Sequence, residues 1–303
     1  MPSQEMQTFI DMIKAQGQGL ESAAEDMSAA RARFDAVAQI FPTPADVKTE
    51  KADADGVPGE WITAPGATAA VTLYYLHGGG YTIGSVNSHR ELVSRISRAS
   101  GARAFSLDYR LAPENKFPAA IDDAVTGYRW LLKQGISPDS IVISGDSAGG
   151  GLTLATLLTL RDAGDKLPAA AVLLSPWTDL EGTGESMKTR AELDPMIKAD
   201  LVDVGASKYY GDASPRDPRV SPIYAVLSGL PPMLVHVGDW EVLLDDSTRL
   251  AAKAKADSVD VTLKVWPETI HVFQFFGVAP EAKQAVDEIG AFMREHVASK
   301  AAA

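Results

Sequence analysis

The sequence of 303 residues contains no cysteine. Disulfide staples, thiolate metal sites and a cysteine nucleophile are excluded together, and the absence fits a reducing, cytoplasmic setting. Basic residues are the minority, 28 against 40 acidic ones, for a formal net charge of −12. So acidic a chain has little to offer nucleic acid or an anionic membrane, and neither is expected as a partner. Histidine is scarce too. Any mechanism that needs an imidazole must choose among His77, His89, His236, His271 and His296. Long apolar runs are missing. The longest, Leu154–Leu160 and 167–175, fall far short of a bilayer span. The opening MPSQEMQTFIDMIK has no basic segment followed by an apolar run, so no secretory signal is read there.

What is present is a globular composition, 46% hydrophobic and 22% charged, with no low-complexity tract. Residues 1–45 read as a helical segment, with Met6, Phe9, Ile10 and Ile13, then Met27, Phe34, Val37 and Phe41, at helical spacing before Pro42 and Pro44. Two short strands around Asp55-Gly56 suggest a hairpin. Beyond Pro65-Gly66, the apolar runs 71–76, 102–107, 140–144, 169–174, 233–237 and 259–265 alternate with amphipathic stretches. Those stretches, near 88–100, 118–134, 148–163, 240–256 and 281–297, read as helices. Strand alternating with helix predicts an α/β fold, a mostly parallel sheet covered on both faces. Residues 181–228 break the rhythm with a long polar stretch, read as an insertion with helices of its own. The expected division is a core of 46–180 and 229–298, the insertion, and a tail of 299–303.

Two segments carry chemistry. The strand 140–144 runs into Gly145-Asp146-Ser147-Ala148-Gly149 and then a helix, which is G-x-S-x-G in the setting that gives the motif meaning. A serine on that sharp turn needs small neighbours at ±2, and its Oγ stands at a helix N-terminus that favours negative charge. A phosphate cradle is the rival reading, but no Gly-Lys-Ser/Thr follows. The second segment, His77-Gly78-Gly79-Gly80, ends another strand. Three glycines in a row allow close approach of a substrate and aim successive N–H groups at one point, the requirement of an oxyanion hole.

Together with Asp108-Tyr109-Arg110-Leu111-Ala112-Pro113-Glu114, Phe117-Pro118-Ala119-Ala120 and Gly229-Leu230-Pro231-Pro232, these segments resemble the hormone-sensitive-lipase-like branch of the α/β-hydrolases, in its bacterial carboxylesterase form. They occur in family order across about residues 45–298. The resemblance implies an α/β-hydrolase fold with a helical cap built from residues 1–45 and 181–228, and oxyanion donors at Gly79, Gly80 and Ala148. It implies that 108–114 braces the glycine loop, that acyl chains are short to medium, and that a homodimer forms beside the last strand. Cap residues Met6, Phe9, Ile13, Met196 and Ile197 are expected to serve core packing before they line an acyl pocket.

A serine needs a base. His236 lies within a strand, His77 belongs to the glycine loop, and His89 and His296 are expected on solvated helix positions. His271 follows the last strand and Pro267, which suits the order serine, acid, histidine of this fold. The acid must lie just past strand 233–237, where both Asp239 and Glu241 stand. Residue pattern alone leaves them open. The family places its catalytic Asp four residues before a second Asp, and that spacing, with Asp245 as the second, selects Glu241. The reading is a serine esterase acting on a small-molecule carboxylic ester through Ser147, Glu241 and His271, with neither cofactor nor metal. Amide, lactone or deacetylation chemistry on the same triad, or a receptor of this fold without turnover, are the alternatives.

Overall fold

In the computed structural model, which describes residues 1–15 and 26–301, Asp55 and Gly56 both take positive φ, 56° and 95°. That two-residue turn matches the twist of the strands it joins, β1 (Lys48–Ala54) and β2 (Val57–Thr63), which pair antiparallel. Six more strands follow: β3 (Thr68–Leu76), β4 (Ala102–Leu107), β5 (Ile141–Asp146), β6 (Ala170–Leu174), β7 (Met233–Gly238) and β8 (Val261–Trp266). They form one sheet in the order β1-β2-β4-β3-β5-β6-β7-β8, parallel from β4 through to β8. Each parallel strand ends at the same edge, which is where ligands bind in such sheets.

Side chains alternate along these strands, so each face has its own core. Leu73 and Tyr75 of β3 point with Val142 of β5 into one cluster; Tyr74, Leu76 and Ile143 point into the other. The first face is covered by α3 (Val86–Ser100) and α9 (Pro280–Ala301), through Leu92, Val93, Ile96, Ile289 and Met293. The second is covered by α4 (Ala119–Lys133), α5 (Ala148–Asp162) and α8 (Leu244–Ala256). Every residue of β5 and β6 is buried, as expected of central parallel strands between two helical layers. Burial of a Leu or Val side chain stabilises by about 1.5–3 kcal/mol, so this centre is the firmest part of the molecule.

The chain's remaining helices gather above the sheet's carboxyl edge. α1 (Gln4–Ala15) buries Met6 and Ile10 against Trp266, Ile270, Phe273 and Phe276, which flank the segment after β8. α2 (Met27–Ala38) is moored by Arg31, which donates to the carbonyls of Thr82 and Ala112 at 2.9 Å and pairs with Glu114 at 2.7 Å. The stretch 181–228 carries α6 (Ser186–Thr189) and α7 (Ala199–Tyr210), whose Tyr209 stacks on Tyr81 at 3.7 Å.

Two details depart from expectation. α8 starts at Leu244, not near residue 240, because residues 238–243 are spent on the site described below. α9 continues to Ala301, so most of the expected tail 299–303 is helical. Within the expected helical segment 1–45, residues 16–25 lie outside the described residues, as do 302 and 303. Among the described residues, no helix is long and apolar enough to cross a membrane.

Candidate active site

Ser147 sits between β5 and α5 with φ 52° and ψ −122°, a region that costs a non-glycine residue of order 1–3 kcal/mol. Backbone bonds hold it there: its N–H donates to the Leu174 carbonyl at 2.8 Å, and its carbonyl accepts from Trp177 at 2.9 Å. A Cβ on Gly145 would lie 2.2 Å from the Gly149 carbonyl oxygen, and one on Gly149 would lie 2.1 Å from that of Leu76. Both obstacles are backbone and cannot step aside. Gly149→Ala is therefore expected to cost about 3 kcal/mol, the upper range of overpacking, and to displace the serine. Thermal unfolding checks the first effect and kcat the second; an unchanged Tm would contradict the fit described.

Gly79 and Gly80 follow β3 with φ 111° and 60°. A Cβ on Gly79 would meet the Ile83 carbonyl oxygen at 2.3 Å. Among the described residues, the backbone N–H groups of Gly79, Gly80 and Ala148 donate to no protein acceptor. The loop is braced as expected from 108–114: Tyr109 donates to the His77 carbonyl at 2.7 Å, and Ala112 N–H to that of Tyr81 at 2.9 Å. It is also tied to the neighbour of Ser147. Asp146 Oδ1 accepts from Gly78 N–H at 3.0 Å and from the Tyr75 hydroxyl at 2.7 Å, and Oδ2 lies 3.3 Å from His89 Nε2. Burial alone would raise this carboxyl, but His89 and the Tyr75 hydrogen bond outweigh it and hold it below the usual range. His89 is thus fully buried, not solvated, its Nδ1 within 2.8 Å of Ser88 Oγ. His77 is held neutral: burial and the neighbouring His89 push it down to about 3.

Beyond Ser147, Glu241 and His271 come together. His271 Nδ1 lies 2.8 Å from Glu241 Oε2, and both side chains are buried. The other carboxylate oxygen, Oε1, accepts from Ser175 Oγ at 2.7 Å and Gly238 N–H at 2.5 Å. Asp239 points elsewhere. Its Oδ1 accepts from Glu268 N–H at 2.5 Å, closing the turn after β8, and it caps no helix. Asp194, from the 181–228 stretch, reaches into the same region. Its Oδ2 accepts Val242 N–H at 2.9 Å, and its Oδ1 takes Met196 and Ile197 N–H at 2.9 and 3.0 Å.

Ser147 and His271 line one pocket with Gly79, Gly80, Trp177, Leu243, Val272 and Phe275. Phe34 of α2 and Met196, Ile197, Lys198 and Val202 from 181–228 complete it. Of the residues expected to serve packing, Met6, Phe9 and Ile13 do so beneath α1, and Met196 and Ile197 pack against the core while also lining the pocket. Within the described residues, the only hydrogen bond of the His271 ring is to Glu241, and none joins it to Ser147. Such contacts commonly tighten only when substrate is seated.

Residues 73–275 match the family described as alpha/beta hydrolase fold. The acetyl-hydrolase of Streptomyces hygroscopicus is 45% identical over 236 residues, covering 78% of this chain and 79% of the relative. An esterase of Acinetobacter venetianus is 39% identical over 88% of both chains. The crystal structure of an esterase from the bacterial hormone-sensitive lipase family superposes with a TM-score of 0.94 at 46% identity, covering 98% of this chain and 99% of that one. The chain belongs to the bacterial hormone-sensitive lipase family of α/β-hydrolases.

In this hormone-sensitive lipase relative, the buried neighbours missed by sequence reading are Ser175, Asp194 and the pair His89–Asp146. Only His89 left a trace: it shares the spacing of Leu92, Val93 and Ile96, all buried on one face of α3. The imidazole of His271 is itself shifted. Burial would lower it, but the Glu241 charge and hydrogen bond, with Asp194 and Asp146 beyond, raise it above its ordinary value. The raised position has a sign in catalysis and in stability. A base must be neutral, so kcat/KM should rise with pH through an apparent pKa above the ordinary imidazole value of about 6.5. The stability gained from protonated His271 is complete below that ordinary value and is lost as pH climbs through the raised one. A profile of kcat/KM against pH checks this, and an inflection below the ordinary value would contradict the Glu241 contact.

Proposed function

We propose that the protein hydrolyses carboxylic esters through an acyl-enzyme on Ser147. His271 takes the Ser147 proton through Nε2 and returns it to the leaving alkoxide, while Glu241 fixes the tautomer through Nδ1. Gly79, Gly80 and Ala148 donate N–H groups to the tetrahedral oxyanion, each commonly worth about 3 kcal/mol of barrier. One observation carries the reading: an imidazole clamped by a buried carboxylate opens onto the same pocket as a strained serine and the glycine loop of Gly79 and Gly80. A receptor without turnover has no need of that clamp.

The helices of 1–45 and 181–228 form the lid in this proposal, over a core of 46–180 and 229–298. Their apolar contributions, Phe34, Met196, Ile197 and Val202, suit acyl chains of short to medium length. The same proposal places the enzyme in the cytoplasm, as a homodimer joined beside β8. A series of p-nitrophenyl esters from acetate to palmitate tests it. A burst of p-nitrophenol stoichiometric with enzyme is expected, with kcat/KM highest among the shorter chains. An organophosphate should abolish activity and add a single label. Absence of a burst, when deacylation limits the rate, would remove the acyl-enzyme; equal turnover of palmitate would remove the chain-length preference.

A further inference from the structure

Ser175 stands just past β6 with φ 46°, fully buried. Glycine takes such a φ at no steric cost, while a side chain there is strained. What the serine adds at this position is a hydroxyl, and both of its capacities are used. Oγ donates to Glu241 Oε1 at 2.7 Å and accepts from the N–H of Val272 at 3.1 Å. Val272 is the residue after His271 and is itself strained, with φ 44°. The hydroxyl therefore touches the orienting carboxylate on one side and the backbone that carries the imidazole on the other.

The surrounding segment reaches the third partner too. The Leu174 carbonyl accepts the Ser147 N–H at 2.8 Å, and the Trp177 N–H donates to the Ser147 carbonyl at 2.9 Å. Ser175 N–H is anchored in turn on the His236 carbonyl of β7 at 2.7 Å. Three residues at and just past the end of β6, Leu174, Ser175 and Trp177, thus contact the backbone of the serine, the carboxylate of the acid and the backbone next to the base.

We infer that Ser175 is a positioning residue of the ester-hydrolysing site: its hydroxyl sets the distance and orientation between Glu241 and His271. This inference rests on the roles proposed above for those two residues. Glu241 Oε1 would otherwise be left with Gly238 N–H as its one donor, and Val272 N–H would lose its acceptor. Loss of a hydrogen bond to a charged group costs on the order of tenfold to a hundredfold in an equilibrium. The carboxylate, with less of its charge shared, would also hold the imidazolium proton more firmly. The other carboxylates facing the imidazole, Asp194 from 181–228 and Asp146 at the end of β5, stay as they are.

Ser175→Gly removes the hydroxyl while relieving the backbone; Ser175→Ala removes it and keeps the strain. Both are measured for Tm, kcat, KM and the pH profile of kcat/KM, beside Ser147→Ala in the same assay. The expected result for Ser175→Gly is a folded enzyme with kcat down about tenfold to a hundredfold, KM little changed, and the acid limb moved to higher pH. Ser175→Ala should show the same kinetics with a lower Tm. A Ser175→Gly enzyme with parental kcat, or one whose loss is equal at every pH, overturns the inference. A merely structural role predicts a fall in Tm with the profile in place. If Ser147→Ala remains active, the nucleophile reading fails instead; an inactive Ser147→Ala beside an unaffected Ser175→Gly overturns this inference alone.

Discussion

Ser147→Ala is expected to lower kcat by on the order of a millionfold and leave a folded protein. The size follows from the way such groups act as a unit: without the nucleophile, the base and the oxyanion donors have no covalent step to assist. The survival of the fold follows from how the residue is held. Its backbone N–H and carbonyl make the bonds to Leu174 and Trp177, and its side chain caps no N–H of α5. Alanine keeps all of that. Circular dichroism and Tm establish folding, and single-turnover measurements establish the rate. More than a few per cent of parental activity in a folded, uncontaminated sample would end the serine mechanism.

Glu241→Gln is expected to cost roughly 10³–10⁴ in kcat with little loss of stability. Two donors, Ser175 Oγ and Gly238 N–H, converge on Oε1 and will keep the amide oxygen there. The amide nitrogen is then left facing His271 Nδ1, across the 2.8 Å now spanned by Oε2. A donor at that point forces the imidazole to carry its proton on Nε2, the atom that must accept from serine. The enzyme holds the wrong tautomer. Asp239→Asn should cost less than about tenfold, because an amide oxygen can still accept the Glu268 N–H that closes the turn after β8. The reverse pattern would transfer the orienting role to Asp239.

Much of this arrangement was legible because it is local. Gly145 and Gly149 flank Ser147 at ±2 since a Cβ at either would strike backbone, and that constraint is written in five consecutive residues. The alternation of apolar runs with amphipathic stretches predicts β3 to β8 because a sheet covered on both faces needs continuous apolar strands. Glu241 was selected over Asp239 by a family spacing, and the buried contact to His271 gives that spacing a physical reason. The start of α8 was misread for the same reason. Glu241 turns back to Gly238 and Val242 N–H is claimed by Asp194, so the backbone has no helical bond to make before Leu244. Ser175 and Asp194 were invisible. Ser175 meets Glu241 and Val272, and Asp194 meets Val242, only through contacts dozens of residues long, and neither belongs to a periodic pattern that its neighbours would reveal.

Asp194 sets a limit on how freely the substrate-facing part of this enzyme can be exchanged. Its carboxylate is buried, with one oxygen on the backbone of its own segment and the other on Val242, next to Glu241. A graft that imported residues 181–228 from a relative would change the walls of the acyl site through Met196, Ile197 and Val202. It would also bring its own version of that mooring. A donor segment without a carboxylate at this point would leave the Val242 N–H buried and unsatisfied beside Glu241, a penalty of about 1–3 kcal/mol placed where geometry matters most. Exchange of the substrate-facing segment is therefore constrained at Asp194 by a bond made next to Glu241.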